Sequence, residues 1–197
     1  MTVRQQWAVV GAIVLVLAGG ALGATHYLGS ELFPVSVGSM APSFSGKVIQ
    51  SYSPEGASSI QPGTMRTLAD YKGQVLLVNI WATWCGPCVI EMPAIERLHQ
   101  ALGPKGLRVI GVSIDHRTRN PSDLIRAFLR EHALSFEVLH DTSDTIQDLY
   151  QSTGVPETFV IGRDGTIRKK MIGSADWSSP ANRTLIEQLL AEPVAHQ

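Results

Sequence analysis

The sequence predicts an α/β fold, a mixed central sheet between helical layers, preceded by an N-terminal transmembrane helix. Three observations carry that prediction. Residues 7–25 (WAVVGAIVLVLAGGALGAT) contain no charged side chain. From Met65 onward, short apolar runs alternate with stretches of helical periodicity, the pattern of parallel strands joined by helical crossovers. Near the C-terminus, Asp164-Gly165 separates two apolar runs. That is a hairpin signal, so the sheet should end antiparallel.

The N-terminal run comes first. A spanning helix needs about 17–25 apolar residues, whereas the apolar core of a cleaved signal peptide has roughly 7–15. The run therefore favours an uncleaved anchor over residues 1–28, with a signal peptide as the alternative. Ala21-Leu22-Gly23 is a weak cleavage site, and no cysteine follows the run to carry a lipid. Arg4 orients the N-terminus to the cytoplasm. Either reading exports the remainder. Residues 29–42, rich in Ser, Gly and Pro, read as a linker. Phe44 to Ser53 is expected to form an edge strand or hairpin arm.

Val75–Ile80 (VLLVNI) is a continuous apolar run, as expected of a strand buried on both faces. Pro87 to Leu102 follows as a helix, with Val89, Met92, Ile95, Leu98 and Leu102 at helical spacing and Gly103-Pro104 as its stop. Leu107–Ile114 is the next strand. Pro121 to His132 is a helix with Asn120 or Ser122 as cap and Leu124, Ile125, Phe128 and Leu129 as its apolar face. Phe136–His140 is a short strand and Thr142 to Ser152 a short helix. Glu157–Ile161 and Thr166–Ile172 form the hairpin around Arg163-Asp164-Gly165. Pro180 to Ala191 closes the chain as a helix.

Composition removes several functions. The 197 residues carry a formal net charge of −1, which gives no basic face for nucleic acid. Two cysteines cannot build a disulfide-rich scaffold, nor a four-ligand zinc site without distant help. Both lie in VNIWATWCGPCVIEMP, residues 78–93. Cys85 falls just before the predicted helix and Cys88 one turn inside it, so the i, i+3 spacing puts both sulfurs on one face. Unpaired N–H groups and the helix dipole favour negative charge on Cys85. Such thiols have pKa values lowered to roughly 3.5–7.5 from about 8.5. Pro87 fits the first turn, where its missing N–H costs nothing.

Thiol–disulfide exchange is therefore the favoured reading. A purely structural bond over three residues would restrain little of the unfolded chain. Copper held by the two thiolates is the serious alternative, with His116, His132 or His140 as a third ligand. No metal is assigned. Glu91, three residues after Cys88, is either a solvated helix carboxylate or a partly buried acid serving Cys88.

WCGPC at a strand-to-helix junction, VPETFVI downstream and the C-terminal DGTI hairpin resemble the thioredoxin superfamily. The fuller strings LADYKGQVLLVNIWATWCGPC, GVSID and FEVLHDTSDTIQDLYQSTGVPETFVIGRDGTI resemble its membrane-anchored TlpA/ResA-type branch. The resemblance covers roughly residues 67–191. It implies a thioredoxin-like domain over 43–197 with an inserted strand–helix unit, and a redox-active disulfide between Cys85 and Cys88.

The resemblance also implies a cis proline at Pro156 facing the motif, with the Val155 backbone offered to an incoming polypeptide as a short strand pairing. Glu91 becomes a catalytic acid beside Cys85 and Cys88. Asn79 departs from cytosolic thioredoxins, which place a buried Asp there, so proton handling falls to Glu91 or water. Trp84, Gly86 and Pro87 should form the substrate face around the disulfide, whereas Trp81, Thr158 and Phe159 read as strand and core.

By the same resemblance no bound cofactor is needed. The expected location is a single pass through the bacterial cytoplasmic membrane with the catalytic domain on the periplasmic side. Expected partners are a disulfide-containing exported protein, apocytochrome c among them, and a membrane electron donor. The settings implied are cytochrome c maturation or metal-site assembly. The Gly-Pro dipeptide matches thioredoxin, with a potential of about −270 mV against about −120 mV for DsbA, so the reducing direction is favoured. A peroxiredoxin-like peroxidase is a further alternative, although its local motif differs from that around Cys85.

Overall fold

A computed structural model describes residues 3–27 (22–27 by backbone only), 35–52, 60–116, 119–143 and 145–193. The chain divides into two compact units, Met1–Val35 and Ser36–Gln197. Residues 29–34 of the expected linker and Ser53 at the end of the expected Phe44–Ser53 arm lie outside the described residues.

In the first unit, α1 spans Val3–Tyr27. Its Val3–Ala21 portion is long and apolar enough to cross a membrane, and its described side chains are exposed all round. A helix with apolar side chains on every face has no polar side to turn toward water.

The second unit is built on one seven-stranded sheet. Its strands are β1 (Ser45–Gln50), β2 (Met65–Thr67), β3 (Val75–Trp81), β4 (Leu107–Ser113), β5 (Glu137–His140), β6 (Glu157–Ile161) and β7 (Ile167–Ile172). They lie in the order β2-β1-β5-β4-β3-β6-β7. The β3–β4 and β4–β5 pairs are parallel, and β6, β7, β1 and β2 add antiparallel. Every residue of β3 is buried, which explains a sequence apolar at every position but Asn79. The helices are α2 (Gly86–Leu102), α3 (Pro121–Glu131), α4 (Ile146–Leu149) and α5 (Pro180–Ala191). On one face of the sheet, Asn79 meets Glu91 of α2 and Trp81 stacks on Phe128 of α3. On the other, Phe159 of β6 packs against Tyr150 at the end of α4. This is the three-layer thioredoxin-like fold that the sequence predicted.

The departures are local. Of the two forms expected from Phe44, edge strand or hairpin arm, β1 takes the second: β2 pairs antiparallel outside it with Lys47 opposite Met65 and is itself the edge. The helix expected over Thr142 to Ser152 shrinks to one turn. Asp141 takes the N–H groups of Ser143, Thr145 and Ile146 and the Ser143 hydroxyl, bending the chain before α4 can start. Leu124, expected on the buried face of α3, is 39% exposed. The hairpin turns as expected, with Gly165 at φ +82°, where a side chain would be strained.

Candidate active site

The central strand β3 delivers the chain to the site. After Trp81 a tight turn, closed by Cys85 N–H donating to Ala82 O at 3.2 Å, brings Cys85 to the N-cap of α2. Its Sγ accepts the Cys88 N–H at 3.1 Å, so the sulfur occupies the place where a capping oxygen would sit. Cys85 and Cys88 are joined, with sulfurs 2.06 Å apart and Cα atoms 5.2 Å apart. Cys88 is fully buried and Cys85 is 4% exposed. Trp84 is 65% exposed, and Gly86 and Pro87 are also on the surface. Farther along α2, Pro93 has no N–H for the Val89 carbonyl. The turn carrying the cysteines is thereby loosened from the rest of the helix.

The Val155–Pro156 peptide is cis, as the resemblance implied. Glu157, the next residue, pairs with Ile80 of β3. Pro156 therefore comes alongside the end of β3 from which the Cys85 turn departs. Gly173 N–H donates to its carbonyl at 2.9 Å.

Beneath the cysteines lies a buried polar cluster. Asn79 Nδ2 donates to Glu91 Oε1 at 2.7 Å and to Thr158 Oγ1 at 2.8 Å. Glu91 Oε2 accepts the Ala175 N–H at 3.2 Å. The Trp177 indole N–H lies close enough to favour the charged carboxylate but falls short of hydrogen-bond geometry. Burial dominates these contacts: Glu91 is 2% exposed, and desolvation pushes its carboxyl up to about 7 against the bonds from Asn79 and Ala175. Of the two readings of Glu91, the solvated carboxylate is excluded. Asn79, Glu91 and Thr158 come together, and Thr158 is a polar partner rather than simple core. Trp81 and Phe159 are core, fully buried.

Sequence reasoning missed two parts. One is the loop bearing Ala175 and Trp177, which closes over Glu91; a lone Trp in GSADW was its only mark. The other is Asp115 in GVSID. Its buried carboxylate accepts the Thr83 N–H at 3.1 Å, the Thr83 hydroxyl at 2.7 Å and the Ser113 hydroxyl at 2.7 Å. It thus holds the turn two residues ahead of Cys85.

The three histidines weighed as copper ligands are placed otherwise. The His140 ring bonds through Nε2 to the Asp115 carbonyl, His116 stacks beside it and His132 lies against Phe128. Among the described residues no three His, Cys, Asp or Glu side chains converge as a metal site.

A disulfide capping a helix that starts at the end of a central strand, beside a cis-proline strand, defines a thiol–disulfide oxidoreductase of the thioredoxin fold. Comparison with known proteins narrows the class. Residues 37–170 match the AhpC/TSA family. The thiol–disulfide oxidoreductase ResA of Geobacillus thermodenitrificans is 30% identical over 173 residues, covering 87% of this chain and 90% of that protein. ResA of Oceanobacillus iheyensis is 32% identical over 138 residues, 70% of this chain and 66% of that one. The thioredoxin domain of a Bacteroides vulgatus thiol–disulfide oxidoreductase superposes with TM-score 0.61 at 23% identity, over 79% of this chain and 98% of that domain. The chain belongs to the AhpC/TSA family and, within it, to the ResA-type thiol–disulfide oxidoreductases.

Proposed function

We propose that this protein is a membrane-anchored, extracytoplasmic reductase of disulfides in exported proteins. The observation that carries this reading is Cys85 at the N-cap of α2, its sulfur receiving a backbone N–H. When the disulfide is open, the same N–H and the helix N-terminus stabilise a Cys85 thiolate. That thiolate attacks a partner disulfide; one partner sulfur leaves and a mixed disulfide remains. The Cys88 thiol passes its proton to Glu91 and attacks Cys85 Sγ. This closes the internal disulfide and releases the second partner sulfur, with two electrons transferred. The Val155 backbone ahead of Pro156 pairs with the extended partner, and Trp84, Gly86 and Pro87 receive its apolar flanks. Apocytochrome c, whose haem-attachment cysteines must be reduced, is the partner we favour. A membrane donor fed from the cytoplasm re-reduces the enzyme, since exported compartments are oxidising.

The test is a trap. Cys88→Ser keeps the nucleophile and removes the resolving thiol, so mixed disulfides accumulate and are released only by outside thiols, without the intramolecular advantage. In acid-quenched extracts this variant should give extra bands on non-reducing gels that collapse with dithiothreitol. Mass spectrometry of those bands names the partner: a c-type apocytochrome supports maturation, and a copper-site protein supports metal-centre assembly. Adducts trapped by Cys85→Ser and not by Cys88→Ser would reverse the roles of the two cysteines.

A further inference from the structure

A base that takes a proton in every cycle must also lose it, and Glu91 is 2% exposed. Its two oxygens face different ways. Oε1 is held toward the sheet by Asn79, and Oε2 toward the 174–176 loop by the Ala175 N–H. On the loop side a solvent-open cavity of 270 Å³ reaches Glu91, walled by Ile90, Ala94, Arg97 and the Ser174–Asp176 loop. Cys85, Cys88, Trp84 and Pro156 take no part in its lining. Its volume has room for several waters. The groups that meet the carboxyl directly are neutral: Asn79 from β3, the Ala175 N–H and the Trp177 indole. The charges stand at the mouth, where Arg97 and Asp176 both bond Ser178.

We propose that this cavity is the route by which Glu91 exchanges its proton with water while a partner polypeptide covers the disulfide. The inference rests on the reading of Glu91 as acceptor for Cys88. The disulfide face cannot serve as the route in the mixed-disulfide state, because the bound partner occupies it. The proton leaving the Cys88 thiol moves to Glu91, and from Glu91 Oε2 through the cavity to solvent. Glu91 returns to its charged form, and no electron moves in this step.

Single-turnover kinetics on the full chain in detergent, with insulin as the disulfide substrate, test the route at pH 6, below the value of about 7 to which Glu91 is raised, where it starts protonated and must lose that proton before it can accept the one from Cys88. Ser174→Trp places a bulky ring at an exposed position of the mouth. It should leave the rate of mixed-disulfide formation unchanged and slow resolution about five-fold, less than the roughly 10²–10⁴-fold that a whole general acid–base step contributes. The slowing should deepen in D2O. Ala94→Leu, which narrows the cavity from the helix side, should give the same pattern, and Arg126→Ala, on α3 and outside the cavity lining, should resolve at the wild-type rate. Glu91→Gln should slow resolution by about ten-fold or more, and adding Ser174→Trp to it should slow it no further. Wild-type resolution in Ser174→Trp and Ala94→Leu alongside slow resolution in Glu91→Gln would overturn the route and leave the acid in place. Wild-type resolution in Glu91→Gln would remove the acid's role and the route with it.

Discussion

At the scale of single residues, Glu91 couples the chemistry to the stability of the fold. Desolvation lifts its carboxyl to about 7 from 4.5, so the folded protein holds this proton more tightly than the unfolded chain. The sign follows directly. The contribution is complete below about pH 4.5 and is lost as pH rises through 7. The displacement is worth on the order of 3 kcal/mol at about 1.4 kcal/mol per pKa unit. The oxidised protein should therefore lose stability between pH 5 and pH 8 by a component that Glu91→Gln lacks, whatever the absolute cost of that substitution. Urea denaturation of both proteins at the two pH values measures it, and parallel pH slopes would count against a buried, proton-holding Glu91. The sequence announced this residue only through its distance from Cys88 and through the family resemblance. Its burial depends on Ala175 and Trp177, which lie more than eighty positions away and which no local pattern connects to α2.

At the scale of elements, α2 begins where it does because the turn before it is held from outside. The Asp115 carboxylate takes both polar hydrogens of Thr83, and hydrogen bonds to a charged group contribute about 1.5–3 kcal/mol each. Thr83→Val strands part of a buried carboxylate. It should lower stability by about 2 kcal/mol and reduce the rate of Cys85 alkylation in the reduced protein, while Thr83→Ser, which keeps both donors, restores both properties. Thermal melts with iodoacetamide rates check this; loss of stability with unchanged alkylation would make the contact merely structural. The larger elements were legible beforehand because burial on both faces makes β3 and β4 predominantly apolar, with Asn79, Arg108 and Ser113 the polar exceptions, and because α2 and α3 keep helical spacing. The misses have physical causes. Residues Met65–Thr67 make an edge strand of three residues with no buried side chain, too short and too polar for an alternating pattern. The segment 142–145 is Thr-Ser-Asp-Thr, side chains that favour caps and turns over a helix interior, and Asp141 takes the N–H groups of Ser143 and Thr145 in a turn. Asp115 sits in a strand-end motif whose partner, Thr83, is thirty-two positions away.

At the scale of the whole molecule, the chain joins a sheet-centred catalytic unit to an apolar helix within one polypeptide. The helix Val3–Ala21 is 19 residues long, about the length that crosses a hydrocarbon core. On the reading that it stays attached, full-length protein should remain with membranes after carbonate washing, and an impermeant thiol reagent should reach Cys85 from outside the cytoplasm. Recovery of a soluble exported form starting near residue 24 would establish a cleaved signal instead.

The placement of the four tryptophans has an optical consequence. Trp84 is exposed and adjacent to Cys85, whereas Trp177 is fully buried beside Glu91. A disulfide quenches a neighbouring indole by accepting an electron from its excited state, and a dithiol does so less. The long-wavelength emission of Trp84 therefore brightens on reduction, while the shorter-wavelength emission of Trp177 responds to the charge on Glu91. Without any added label, the change in the long-wavelength band on reduction and in the short-wavelength band on titration should report electrons and protons separately, over the emission of the exposed Trp7 and the buried Trp81.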